Sequence, residues 1–427
     1  MPDITSNILP QIQAHHLPGL DLDASFIYPD YLGGSILNIP ASICQVLGAE
    51  PMANIGLYPE RMIQPSGSLR RVILVLVDAL SLQHLQRWME DGTAPVWSRL
   101  AEQGRLSAVT SIVPSTTSAA LTSLWTSRSP AEHGIVGYEL WLKEYGMVSN
   151  MIQHSPMSFG NEAGSLYRAG MVPESFLNLP TLGSYLAGYG VRSYALQHRS
   201  IIHSGLSQMF FSDVSLHGFI TPAELWINLR HLVESTPTIR QYFWVYTGQI
   251  DHFSHLYHPD DERTAAEFGD FSRSFEQQFL NQLSPATRKG TLLLLTADHG
   301  MQATKKSARY DLRNHPDLTR LLHIMPTGEN RLMYLFIRPD EVGHVRDYIE
   351  QTWPGEFVFL DPQEAINCGL FGPGTPHPRL VDRLGDLIVA AQRDAYLWWA
   401  DKENPLIGRH GGLSEQEMVV PLLSVML

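Results

Sequence analysis

At 427 residues, with 44% hydrophobic and 17% charged side chains, the chain has the composition of a folded globule, long enough for one large α/β domain with insertions or for two domains. A net charge of −13 without a basic block excludes tracking along a nucleic-acid duplex, although a nucleotide or a strand end stays open as a substrate. Two cysteines, Cys44 and Cys368, exclude a disulfide framework or a Cys-rich zinc module and fit a reducing compartment.

The opening "MPDITSNILPQIQ" has no basic segment followed by an apolar one, so no signal peptide is expected and the reading is cytoplasmic. Residues 1–69, rich in Pro and Gly, read as an N-terminal arm wrapping the core. From Arg71 the pattern sharpens: "RVILVLVD" is a near-continuous apolar run of strand length, as expected of a strand buried on both faces of a parallel sheet. "SLQHLQRWME" follows with helical spacing. Further buried strands are "RSYALQ" (192–197), "QYFWVYTG" (241–248), "TLLLLTAD" (291–298) and "DLIVAA" (386–391), with helical stretches such as "AAEFGDFSRSFEQQFLNQL" between them. This alternation predicts a doubly wound, mainly parallel α/β sheet flanked by helices. Residues 138–180 and 300–385 break the rhythm and read as cap insertions in a single catalytic domain spanning 1–427. All the apolar runs are far too short to span a bilayer.

Three of the buried strands deliver a carboxylate at or just beyond their ends: Asp78, Asp251 and Asp298. In open α/β sheets ligands sit outside the carboxyl ends of the strands, and three carboxylates gathered there repel unless a cation lies between them. A single such Asp is commonly a turn former; the histidines argue for more. "DHFSH" sets Asp251 and His255 four apart on one helical turn, "ADHG" sets His299 beside Asp298, and "GRHGG" sets His410 among glycines. Imidazole with carboxylate and no thiolate suits zinc, with manganese possible.

The hydroxyl-rich, uncharged run "PSTTSAALTS" lies between the first two of these carboxylates. Ser115 and Thr116 read as N-cap and turn donors, Thr122 and Ser123 as helix residues, and Thr117 as the hydroxyl at a helix N-terminus, where the dipole favours an alkoxide or a phosphate oxygen. No acid or base is nearby in sequence, so metal coordination is the available activator for Thr117.

In this order, Asp78, Thr117, Asp251 with His255, Asp298–His299 and His410 resemble the metal-site pattern of the alkaline phosphatase superfamily, most of all its type I phosphodiesterase/nucleotide pyrophosphatase branch. "SIVPSTTSAALTSLWTSRSPAEHGI" is similar to that branch's nucleophile segment, and "HGGLSEQEMVVPLL" to the C-terminal segment of related phosphodiesterases and PglZ-type domains. The likeness runs from about residue 70 to 427, with the middle insertions poorly matched. It implies two divalent ions, one held by Asp251, His255 and His410, the other by Asp78, Asp298, His299 and Thr117. It also implies that Thr117 is a nucleophile forming a phosphothreonine intermediate, in a hydrolase of phosphodiesters or pyrophosphates acting on a small-molecule phosphate ester. Two such ions about 4 Å apart would clamp an in-line displacement at phosphorus.

One position departs from the pattern. Where the branch usually has an Asn that holds a phosphate oxygen, "HGIVGYELW" has Tyr138, either a phenol donor replacing that Asn or an aromatic packed in the cap. The absence of Lys and Arg from Ser107 to Ser127 favours a singly charged diester over a phosphate dianion. A phosphomonoesterase or phosphonate hydrolase using the same residues is the alternative, and a metal-binding pseudoenzyme a more distant one. No P-loop and no sulfatase motif is present.

Overall fold

Arg71–Val77 is buried along its whole length because it lies at the centre of a sheet. It pairs in parallel with Arg240–Thr247 on one side and Thr291–Thr296 on the other. Val191–His198 and Val214–Phe219 extend the sheet in parallel beyond Arg240–Thr247. On the opposite flank Val419–Met426 runs antiparallel between Thr291–Thr296 and Arg105–Thr110. The result is a seven-stranded sheet with one reversed strand, flanked by helices, and so the mainly parallel α/β fold read from the apolar runs. The computed structural model describes residues 2–22, 25–65, 69–158, 162–235 and 239–427. Residues 23–24 and 66–68 of the expected arm, and 159–161 of the first expected cap, lie outside that set.

The expected helix after Asp78 is Leu82–Glu90, started by Ser81, whose hydroxyl accepts from the His84 N–H. The long helical stretch is Glu262–Ser274, continued as a wider π-type turn over Phe275–Phe279. In the arm, the helix Ile39–Val46 buries Ile39 and Ile43 against the main core.

One expectation is corrected. "DLIVAA" is a strand, Leu387–Ala391, but it lies in a second, antiparallel sheet and not in the main one. That sheet gathers strands from both irregular regions, from Glu139–Leu142 through Leu322–Glu329 and Leu332–Ile337 to Phe357–Leu360. The run is apolar throughout because its two faces meet two cores. Ile388 and Ala390 join the main cluster, whereas Leu387, Val389 and Ala391 join a satellite cluster around Trp353 and Tyr396. A strand covered on both faces reads alike in either setting, so composition could not separate them. The buried ion pair Arg331–Glu417, 2.8 Å and fully enclosed, ties the second sheet to the C-terminal segment; removing one partner of such a pair costs about 3–5 kcal/mol. Among the described residues no helix is long and apolar enough to cross a membrane.

Candidate active site

The parallel strands bring their carboxyl ends, and the three carboxylates, to one place. Asp78 follows Arg71–Val77, its N–H donating 2.9 Å to the Thr247 carbonyl of the neighbouring strand. Asp298 follows Thr291–Thr296 and accepts from the N–H of Ala79, 3.3 Å, and of its neighbour His299, 3.0 Å. Asp251 lies in the first turn of the helix Gln249–Tyr257, whose pitch returns His255 to the same face; His255 Nε2 is 3.2 Å from Asp251 Oδ1. His410 arrives from the C-terminal segment, its Nε2 3.6 Å from the same oxygen. Thr117 opens the ten-residue helix Thr117–Thr126, and its hydroxyl is 3.1 Å from His299 Nε2. His299 Nε2 also sits 3.3 Å from Asp78 Oδ1. All seven residues read from the sequence as ligands or nucleophile therefore converge.

The tautomers are decided by the backbone. His255 Nδ1 faces the Gly408 carbonyl at 2.8 Å, His299 Nδ1 that of Gly300 at 2.9 Å, and His410 Nδ1 that of Ser115 at 3.1 Å. A carbonyl only accepts, so each Nδ1 carries a proton and each Nε2 points at the carboxylates. Asp78 Oδ1, Asp251 Oδ1 and Asp298 Oδ2 are buried and make no hydrogen bond among the described residues. Three orphan carboxylate oxygens facing three imidazole Nε2 atoms need protons or cations between them, and backbone-oriented imidazoles are the usual support of metal ligands. The donor set fits divalent ions. Ligand atoms of Asp78, Asp298 and His299 lie within 4.8 Å of one another, as do those of Asp251, His299 and His410. His299 stands between the two groups, and His255 joins through Asp251.

The electrostatics carry the same signature. Burial, with Asp298 and Asp251 beside it, holds Asp78 well above the usual carboxylate range, even though the Tyr246 hydroxyl donates to it. Burial and Asp251 push Asp298 up to about 7. For Asp251 burial acts upward, but His255, His410 and His299 together outweigh it and hold the group low. His255 rises to about 9, because Asp251 outweighs the opposing effect of burial, whereas burial and His299 hold His410 well below the usual imidazole range.

Two details differ from the reading of the hydroxyl run. Thr116 occupies the N-cap position, yet its hydroxyl makes no cap bond and donates instead to Glu329 Oε1 at 2.6 Å. Ser115 donates 2.7 Å to the Gly412 carbonyl, fastening the nucleophile turn to the His-Gly-Gly segment. Glu329 has no ligand-like spacing in the sequence and sits in a hairpin of the second sheet. It also accepts from the Tyr138 N–H at 2.7 Å, and burial pushes it up to about 8. The glycine after His410 is its one sequence signal. A Cβ on Gly411, whose φ is +106°, would stand 2.3 Å from the Glu329 Cβ.

Tyr138 lines, with Thr117, Glu329 and His410, a cavity of about 330 Å³. Its phenol oxygen accepts from Asn150 Nδ2 at 2.6 Å, leaving the O–H proton free to donate. If that proton serves the phosphoryl group, Tyr138→Phe lowers kcat roughly 10- to 1000-fold, as expected for an oxyanion donor. An unchanged kcat in steady-state assays returns Tyr138 to packing alone.

A hydroxyl at a helix N-terminus beside carboxylate–imidazole clusters is the equipment of phosphoric ester hydrolysis, and comparison with known proteins returns that class. The profile of the type I phosphodiesterase/nucleotide pyrophosphatase family matches residues 72–413, so the chain belongs to that family. Its fold resembles phosphonoacetate hydrolase from Sinorhizobium meliloti 1021, solved with phosphonoformate, at 18% identity and a TM-score of 0.61, over 86% of this chain and 94% of that one. It also resembles murine ectonucleotide pyrophosphatase/phosphodiesterase 5, at 15% identity and a TM-score of 0.59, over 83% and 87% of the respective chains.

Proposed function

We propose that the protein hydrolyses phosphodiesters or pyrophosphates of small molecules with two divalent ions, zinc or manganese, through a phosphothreonine intermediate. The observation carrying this reading is the Thr117 hydroxyl 3.1 Å from His299 Nε2, at the edge of three buried carboxylates with unpaired oxygens. Asp251, His255 and His410 would hold one ion, and Asp78, Asp298, His299 and Thr117 the other. Bound there, such ions lower the pKa of the hydroxyl and neutralise charge developing on phosphorus and the leaving group. The chain supplies the rest. Ser115 and the helix start fix Thr117 in direction, and the backbone carbonyls fix the imidazoles. Thr117 Oγ1 attacks phosphorus, the P–O bond to the leaving alcohol breaks, and water then cleaves the phosphothreonine in a second displacement. Unpaired Cys44 and Cys368 accord with a cytoplasmic setting, and the negative net charge with a small-molecule substrate rather than duplex nucleic acid or a membrane.

A second reading, a phosphomonoesterase or phosphonate hydrolase, draws on Lys402. This exposed cation lines the cavity shared by Thr117 and Tyr138 and could meet a dianion there. Initial rates of the zinc- and manganese-loaded protein separate the two. We expect kcat/KM for bis(p-nitrophenyl) phosphate to exceed that for p-nitrophenyl phosphate and for phosphonoacetate. Faster turnover of either dianion under matched metal and pH installs the second reading.

A further inference from the structure

Thr117 opens onto two cavities, which differ in the charged side chains that line them. Beside the one that holds Tyr138, Glu329, Lys402 and Arg409 lies a second of about 390 Å³, lined by Asp78, Thr117 and Asp251. That volume is in the range of small-molecule pockets. Its walls begin on the nucleophile helix itself: Leu121 and Trp125 follow Thr117 at spacings of four, which places all three on one helical face. Phe210, Phe211 and Trp244 close the far side, with Trp125 stacked on Phe210 and edge-on to Phe211.

Part of the polar lining is already occupied, although the Trp125 and Trp244 indole nitrogens are buried without a partner among the described residues. Gln197 Nε2 donates to Ser207 Oγ at 2.7 Å and to the Ile201 carbonyl at 3.3 Å, and the Ser204 hydroxyl donates to Ser207 at 3.1 Å. Among the described residues no Lys or Arg lines the cavity, and its only carboxylates are Asp78 and Asp251. A second phosphate would meet no Lys or Arg among the described lining residues, whereas an apolar group would leave water for aromatic walls.

We propose that this chamber holds a bulky apolar ester substituent of the substrate, so that the enzyme acts on phosphodiesters carrying an alkyl or aryl group. The proposal rests on the hydrolytic reading above, because it places the phosphoryl group at Thr117. Such a diester lies with phosphorus at Thr117, its apolar group against Leu121, Trp125 and Trp244, and its polar group toward Tyr138 and Glu329.

Calorimetric titration of the metal-loaded Thr117→Ala protein with monoalkyl phosphates from methyl to octyl tests this without turnover. Each added methylene is expected to tighten binding about two- to fourfold until the chamber is full. Leu121→Trp, which fills the chamber beside Thr117, flattens that dependence; if Leu121→Trp does not fold, Phe211→Ala, which removes part of the wall, is expected instead to weaken binding of the longer chains and leave methyl phosphate unchanged. Affinity independent of chain length, or AMP binding more tightly than octyl phosphate, overturns the proposal. Phenyl phosphate added to the series separates an aromatic from an aliphatic occupant. The hydrolytic reading is judged apart from this, by turnover of bis(p-nitrophenyl) phosphate. Turnover with flat chain-length dependence rejects the chamber alone, and no turnover of any ester rejects the hydrolytic reading.

Discussion

Thr117→Ala is expected to leave a folded protein that still binds its metal ions and hydrolyses phosphodiesters roughly 10⁴- to 10⁶-fold more slowly, the scale on which loss of a nucleophile acts. The side chain is only 7% exposed and opens a helix whose turns are closed by backbone bonds, such as that from the Ala120 N–H to the Thr116 carbonyl at 2.9 Å. Removing its hydroxyl therefore deletes chemistry and little packing. Thr116→Ala is the control. Its hydroxyl reaches Glu329 and not the reacting centre, and losing one such bond costs about 1 kcal/mol, within tenfold in rate. Circular dichroism and elemental analysis establish that both variants are intact, and burst kinetics on an aryl diester read the chemical step. Equal losses in the two variants would place the nucleophile elsewhere in the run.

Removing the metal ions should change how stability depends on pH. Without them, protons must occupy the gaps between the orphan carboxylate oxygens and the imidazoles. Burial and like charge raise Asp78 well above the usual carboxylate range and Asp298 to about 7. Asp251 raises His255 to about 9 against the effect of burial. A group raised on folding stabilises fully below its unfolded pKa, and that stability is lost as pH rises through the folded value. His410 is held low and acts in the opposite sense, but its contribution is complete once pH passes its unfolded value of about 6.5. Between pH 7 and 9 the remaining groups all act in one direction, so the chelator-treated protein should lose stability as pH rises. The metal-loaded protein should respond far less, since ligands deprotonate to bind and binding gains with pH. At a thousandfold excess over Kd each ion adds about 4 kcal/mol, so the gap in Tm should be large and should widen across this window. Differential scanning calorimetry at pH 7, 8 and 9 measures it. A metal-free Tm that rises with pH, or a slope that is not reduced in Asp78→Asn/Asp251→Asn, which removes the raised Asp78 and the partner that raises His255, would reject a proton-holding cluster at this site.

The chemistry of the site was legible because its residues are tied to local pattern. An apolar run buried on both faces announces a central strand, and a parallel sheet sends every such strand's carboxyl end to the same edge, so pattern alone brings Asp78, Asp251 and Asp298 together. The four-residue spacing of Asp251 and His255 is set by helix pitch alone, and Thr117 by the change from turn to helix. Glu329, the partners of Ser115 and the pairing of Leu387–Ala391 were not legible. They depend on contacts between segments far apart in the chain. Glu329 reaches Thr116 across 213 positions and Ser115 reaches Gly412 across 297, and no periodicity encodes such a meeting. The apolar chamber belongs with them. Leu121 and Trp125 lie at helical spacing from Thr117, and only the packing of that helix beside Phe210, Phe211 and Trp244 leaves a space where a continuous core would otherwise close. Local sequence determines which side chains can act, because pitch and pleat are properties of a few neighbouring residues; tertiary packing determines what those side chains face, because it alone sets which distant surfaces meet.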